Sequence, residues 1–217
     1  MKSIAILSGG MDSTTLVYEL VNQGDKVFCL SFNYGQRHKK ELEYAKKTTR
    51  KLSLEHKIVD ISNIHKVVQS QNSLTGVKEV PEGHYEDVTM KQTVVPFRNA
   101  IMLTISAGMA STLNFDRVVY GAHAGDHAIY PDCRIDFINA IRDMFKVADY
   151  NIIDLYTPYV KISKADIVKR GIELKVPYED TWSCYKGEEL ACGKCGTCVE
   201  RLEAFKLNNV KDVVKYK

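Results

Sequence analysis

Short apolar runs alternate along the chain with charged stretches whose apolar residues fall at helical spacing. Ile4 to Leu7 reads as a buried parallel strand, and Leu16, Val17, Leu20 and Val21 then form one helical stripe, so a helix begins within residues 8 to 13. Lys26 to Phe32 predicts a second strand, Lys39 to Leu52 a charged helix, and Glu55 to Ile61 a third strand. Residues 70 to 95 hold few aliphatics but include Asn72, Gly76, Pro81 and Gly83, which marks a long surface excursion suited to a lid or a dimer contact. Arg98 to Leu113 is apolar on most faces and predicts a buried helix. A strand over Arg117 to Gly121 and a polar loop over Ala122 to Arg134 follow. Ile135, Ile138, Ile141, Met144 and Phe145 mark another helix, Ile152 to Tyr156 a fifth strand, and Ser163 to Leu174 a helix capped by Ser163. Such alternation implies an α/β fold, a parallel sheet with helices on both faces. Ligands of these sheets bind beyond the carboxyl ends of the strands, where the loops at 8–13, 33–38 and 122–134 would meet.

Composition narrows the class. With 217 residues, 45% hydrophobic and 26% charged, the chain can build one large domain and a small appendage, which we place at 1–180 and 181–217. A net charge of +3 makes no case for nucleic acid, and no direct nucleic-acid partner is expected. No apolar stretch approaches the roughly 18 residues a spanning helix requires. Met1-Lys2-Ser3 runs straight into the first strand, so neither a secretory leader nor a membrane segment is expected and the location should be cytoplasmic. Six cysteines in that compartment argue against structural disulfides, and four of them lie within residues 184 to 198.

The string Ser8-Gly9-Gly10-Met11-Asp12-Ser13 sits between the first strand and the first helix. Two glycines allow a sharp turn and a close ligand approach. The unpaired N–H groups of the helix start, with the hydroxyls of Ser8, Ser13 and Thr14, suit phosphate oxygens. An ordinary turn with Ser13 as N-cap is the plainer reading. The string lacks the Gly-Lys-Ser/Thr of a Walker loop. It resembles the PP-loop of the ATP pyrophosphatase superfamily, in which the nucleotide-binding span would cover Leu7, Ser8, Gly9, Gly10, Met11, Asp12, Ser13, Thr14, Thr15, Leu16 and Val17. A second signal is Cys184 followed by Cys192, Cys195 and Cys198, three of the four at two-residue gaps in a glycine-bearing loop. Four thiolates of this kind close around one tetrahedral zinc, with an iron–sulfur cluster as the rival and unpaired buried thiols as the simplest case. With no position left for water, a zinc there would be structural.

Together with Tyr-Gly-Gln-Arg-His at 34–38, Pro-x-Arg-Asn at 96–99, Tyr-Pro-Asp-Cys-Arg at 130–134, Lys164-Ala165-Asp166-Ile167 and Thr181-Trp182-Ser183-Cys184-Tyr185, these signals make nearly the whole chain resemble the 7-cyano-7-deazaguanine synthases. The resemblance implies a PP-loop (adenine-nucleotide alpha-hydrolase-like) fold with a small zinc-binding helical subdomain. It further implies conversion of 7-carboxy-7-deazaguanine, ammonia and ATP to the nitrile in queuosine and 7-deazaguanine biosynthesis, one zinc on the four cysteines, and a homodimer.

The residue types suit that chemistry. A carboxylate is a poor electrophile until ATP turns one oxygen into a leaving group. Nitrile synthesis requires this twice, first to form an amide and then to expel the amide oxygen. The N–H groups of residues 8–13, Ser13, Mg²⁺ and Lys164 are the expected stabilisers of phosphate charge, with Asp12 holding a Mg²⁺-bound water or orienting the loop. Lys164 can instead be a solvated lysine beside a cap, and Asp12 a carboxylate on the helix dipole. Arg98 opens an apolar helix beside Asn99, and its planar fork matches a carboxylate or phosphate; an internal salt bridge is the alternative. Asp126 and Asp132 are candidates for the N–H edge of a guanine-like base, Tyr34 or Tyr130 for stacking on it, and Asn99 and Arg134 for further substrate contacts, although loop aspartates also make turns. Cys133 has no histidine fixed beside it, and His123 and His127 flank the loop without an assigned role.

Two departures from the family pattern touch the product: Phe97 stands where many members have glycine, and Ala128-Ile129 where many have Ser-Gly. A synthase stopping at the amide is therefore a first alternative. A tRNA-thiolating PP-loop enzyme and a nucleotide-sensing zinc module without activity are others. In 217 residues no room remains for a glutaminase domain, so ammonia would come from solution or a separate partner.

Overall fold

The computed structural model describes residues 1–37, 39–64, 72–76, 78–187 and 189–217. His38 of the Tyr34 string and positions 70, 71 and 77 of the 70–95 segment lie outside the described residues. Among the described residues, five parallel strands, β1 (Lys2–Ile6), β2 (Lys26–Asn33), β3 (Glu55–Asp60), β4 (Arg117–Val119) and β5 (Asp154–Tyr156), form one sheet in the order β3-β2-β1-β4-β5. β1 is the central strand, with Ile4 opposite Phe28 on one side and Val118 on the other. The strand order reverses there, which opens a crevice at the carboxyl end of β1.

Among the described residues, the helices that cover the sheet and carry the tail are α1 (Met11–Asn22), α2 (Lys40–Lys51), α3 (Arg98–Thr112), α4 (Ile135–Val147), α5 (Lys164–Glu173) and α6 (Gly196–Leu207). Successive strand residues point to opposite faces, and both faces are buried. Ile4, Leu30, Val118 and Leu155 pack with Met102 and Leu103 of α3 and Ile138 of α4. Ala5, Leu7, Val27, Cys29 and Val119 pack with Leu16, Val17 and Leu20 of α1 and Ile167 of α5. This double burial is why the central strands β1 and β2 read as largely apolar runs. Ser163 caps α5 as expected, in a reciprocal box with Asp166.

Strand ends differ from the sequence reading. β4 stops at Val119 because Tyr120 and Gly121 turn into the cavity wall, and β5 starts at Asp154, since Ile152 is 72% exposed. The polar loop contains two 3-10 turns, Ala124–Ala128 and Pro131–Cys133. The 70–95 segment buries Ser73, Leu74, Val80, Met90 and Thr93, and Gly83 N donates to the Lys194 carbonyl at 3.0 Å. It is thereby pinned to the cysteine loop. The tail is held from inside by Arg201, whose Nε and Nη2 donate to the two oxygens of Asp212 at 2.7 and 3.0 Å and whose Nη1 donates to Thr181 Oγ1 at 2.7 Å. Every strong donor of this buried guanidinium is met, which makes its burial tolerable.

Candidate active site

β1 ends at Ile6 and α1 begins at Met11, with extended Gly10 as N-cap and no side chain closing the helix start. Ser13 is therefore not the cap. Its hydroxyl lies 3.0 Å from Ser8 Oγ and accepts from Ser8 N at 3.2 Å, drawing the two ends of the loop together. Gly9 adopts φ +89, and a Cβ there would stand 2.0 Å from the Glu41 carbonyl oxygen, so only glycine lets α2 pack on the loop. Trp182 N donates to the Gly9 carbonyl at 2.9 Å, closing the tail onto the same turn.

A cavity of about 220 Å³ opens over this loop. Leu7, Ser8, Gly10, Asp12 and Ser13 line it, as do Tyr34, Arg98, Asn99, Asp126, Tyr130 and Lys164. The rest of the 7–17 span stands behind the wall. Met11 packs on Val168 and Phe205, Thr15 meets Tyr178 OH at 2.9 Å, and Leu16 and Val17 belong to the core. Two substrate candidates also fall outside it. Asp132 accepts from Asn99 N at 3.3 Å, which satisfies the start of α3, and exposed Arg134 donates to the His127 carbonyl at 2.8 Å from the residue preceding α4.

At one end Lys164 is buried and pairs with Glu200 of α6 and, at 3.4 Å, with Asp12. Burial opposes its charge, but Asp12, Glu200 and Asp126 outweigh that and hold its pKa above the ordinary lysine range. The ammonium is permanent at neutral pH. His123 Nδ1 accepts from Gly125 N at 3.1 Å, so the ring proton sits on Nε2. That nitrogen faces Asp126 at 3.5 Å, Glu200 at 3.8 Å and Asp12 at 3.9 Å. Asp12 Oδ1 is buried with no hydrogen-bond partner.

At the other end Arg98 lies over the Tyr34 ring, 5.4 Å from its centroid, and donates to Tyr34 OH at 3.4 Å. Tyr130 OH meets Thr93 Oγ1 at 2.5 Å and Tyr185 OH at 3.2 Å. Burial pushes Tyr34 up to about 12 and raises Tyr130 and Tyr185 as well, so all three remain neutral hydroxyls. Cys133 is buried against Tyr120 OH, 3.3 Å away, and burial raises its thiol well above the ordinary range, which disqualifies it as a nucleophile at neutral pH.

The sequence names His123 without a role and does not mark Glu41 or Glu200 at all. Glu41 reaches the cavity from the first turn of α2, while Glu200 of α6 meets Lys164 and His123 of the turn after β4 faces Asp12 and Glu200. Nothing in local spacing marks them, since their convergence depends on how helices pack.

The sulfurs of Cys184, Cys192, Cys195 and Cys198 all lie within 4.8 Å of one another and are buried, so this set can hold one metal ion. Backbone N–H groups already point at them: Cys195 N to Cys192 Sγ at 3.3 Å and Cys192 N to Cys184 Sγ at 3.4 Å. Such donors favour thiolates over thiols. Among the described residues no helix is long and apolar enough to cross a membrane.

The chain is 55% identical over 216 residues to a 7-cyano-7-deazaguanine synthase of Caldicellulosiruptor bescii, covering 100% of this chain and 97% of the relative. It is 52% identical over 217 residues to the enzyme of that name from Methanoregula boonei, covering 100% and 99%. Among solved structures, the NMN synthetase of Francisella tularensis superposes with a TM-score of 0.54 at 14% identity, over 97% of this chain and 77% of that one, a likeness of fold. A family model described as queuosine biosynthesis protein QueC matches residues 2–209, and the chain belongs to that family.

Proposed function

We propose that this protein is an ATP-dependent ligase that converts 7-carboxy-7-deazaguanine and ammonia to 7-cyano-7-deazaguanine. The name shared by the curated relatives carries the nitrile product, and the amide-only alternative is set aside. One observation supports the reading above others: the buried Lys164 ammonium stands in the same cavity as the open start of α1, paired with Asp12 of the loop. Phosphate oxygens seated on the N–H groups of residues 8–13 would meet that ammonium, and charge developing on the leaving phosphate is stabilised from two sides. Ammonia attacks the activated acid to give the amide, and a second activation lets the amide oxygen depart.

The orphaned Asp12 Oδ1 fits a ligand for a divalent cation, and Mg²⁺ held there would neutralise phosphate charge. Arg98, with no acidic partner among the described residues, suits the acid end of the substrate. We read the four cysteines as a structural zinc site, the 181–217 tail as its subdomain, and the active form as a cytoplasmic homodimer drawing ammonia from solution or a separate supplier. Purified protein incubated with 7-carboxy-7-deazaguanine, ammonium, Mg²⁺ and excess ATP, followed by chromatography and mass spectrometry, tests the reading. A transient amide followed by the nitrile is expected; an amide that accumulates, or no conversion, refutes it.

A further inference from the structure

Two charged side chains in the main cavity lack a partner of opposite charge among the described residues. Arg98 reaches Tyr34 OH and the Asn99 side-chain oxygen, both at 3.4 Å. Glu41 accepts one hydrogen bond, from Gln36 Nε2 to Oε1 at 3.1 Å, and no described donor meets its other oxygen. A salt bridge between them would have satisfied both, yet they stand apart on the wall of one cavity. Each keeps its bonding capacity for whatever enters. A guanidinium takes a carboxylate or phosphate through two parallel bonds, and a carboxylate takes a pair of adjacent N–H donors in the same way.

Burial pushes the Glu41 carboxyl up to about 7, with Gln36 and Arg98 opposing the rise. The free protein thus bears a real desolvation cost for keeping a carboxylate here, of the kind met where a ligand supplies the missing donors. Gln36, itself buried, is fixed by donating to the Phe32 carbonyl at 3.1 Å, and it orients the carboxylate edge. The loop aspartates do not offer this edge. Asp132 is spent on Asn99 N, and Asp126 faces His123 at the far end with Lys164.

Building on the ligase reading above, we propose that Glu41 is the specificity residue for the heterocycle, its carboxylate accepting hydrogen bonds from the ring N–H and exocyclic amino group of a 2-amino-4-oxo-pyrimidine edge. A site built to bond such a pair rejects an analogue lacking one donor far more strongly than a merely apolar slot does. Glu41→Gln places an amide N–H where the ligand also presents N–H, while the retained oxygen still serves Gln36.

The experiment compares wild type with Glu41→Gln in two assays. In steady-state turnover, the variant is expected to raise KM for 7-carboxy-7-deazaguanine by about 30-fold or more while the KM for ATP changes less than about twofold. Wild type should disfavour the 2-deamino analogue by a similar factor, and the variant should not distinguish the two. A raised KM for ATP with an unchanged heterocycle KM assigns Glu41 to the adenine and overturns the proposal, as does no change in either. Equilibrium binding of 7-deazaguanine, which carries the donor edge but no acid, reads Glu41 without turnover. Binding by wild type and loss in the variant support the assignment; equal binding by both, or none by wild type, overturns it. Failure of wild type to convert the acid, with this binding difference intact, rejects the ligase reading alone. Glu41→Asp, which keeps the charge but shortens the reach, should recover part of the binding and excludes a folding defect.

Discussion

Replacing Glu41 by Gln removes a carboxyl that the fold makes hard to ionise, and the effect on stability follows from its titration. In the unfolded chain this group loses its proton near 4.5; in the folded protein it does so near 7. Between those values the folded state binds more protons than the unfolded one, so stability attributable to Glu41 falls as pH rises through that window. The distance from 4.5 to about 7, at about 1.4 kcal/mol for each pH unit, amounts to about 3 kcal/mol once the group is ionised in both states. The glutamine pays nothing of this kind and retains an oxygen for Gln36. Glu41→Gln should therefore be more stable than wild type by about 1–3 kcal/mol at pH 8 and nearly equal to it at pH 4.5. Urea unfolding of both proteins without ligand, at half-unit steps between those pH values, measures the difference directly, and all other titrating groups cancel in the comparison. A stability difference that stays constant across the window, or that favours wild type at pH 8, would refute the argument that enclosure strains this carboxylate.

Other expectations concern the remaining parts of the site. Lys164→Met leaves Asp12 and Glu200 without their shared cation and should cost about 3 kcal/mol of stability along with turnover; adding Glu200→Gln should restore much of the stability and none of the turnover, by denaturation and nitrile assay. Removing metal with a strong chelator, or Cys192→Ser, should loosen the cysteine loop and the segment bonded to it at Gly83, seen as new proteolytic cuts on both sides of that contact, with one zinc per chain found by elemental analysis of the untreated protein. Phe97 takes a left-handed backbone (φ 54) at the start of α3 and is 78% exposed, outside the cavity wall. Phe97→Gly should therefore raise stability by up to about 1 kcal/mol and leave both KM values unchanged, in melts and kinetics run side by side.

What could be read from the residues alone follows from how local each feature is. The sheet was legible because strands buried on both faces, such as Ile4 to Leu7 and Val27 to Phe32, are apolar runs broken only by the buried Ser31. The loop after β1 and the cysteine cluster were legible because their parts are contiguous. Edges blurred where apolar residues serve other purposes: Ile152 faces solvent, while Tyr120 turns toward Cys133. Two carboxylates of the site were illegible for a different reason. Glu41 and Glu200 come from two further helices, and only the packing of α2 and α6 against the loop brings the first to the cavity wall and the second to Lys164. Asp132 shows the converse, a carboxylate in a suggestive motif that the backbone of Asn99 claims first.

Gly9 sets a dimension as well as a turn. With no side chain between them, the backbone of the phosphate loop rests on the backbone of α2 at Glu41, so the two behave as the jaws of a caliper with a fixed gap. In the proposed reading one jaw would seat the phosphates, and the other carries the Glu41 carboxylate. A planar molecule would then be measured by its length: a shorter ring system would touch one jaw at a time, and a longer one could not bring its acid to the phosphate while its donor edge is held. Widening the gap by a single methyl group, through Gly9→Ala, would displace both ends of the gauge together.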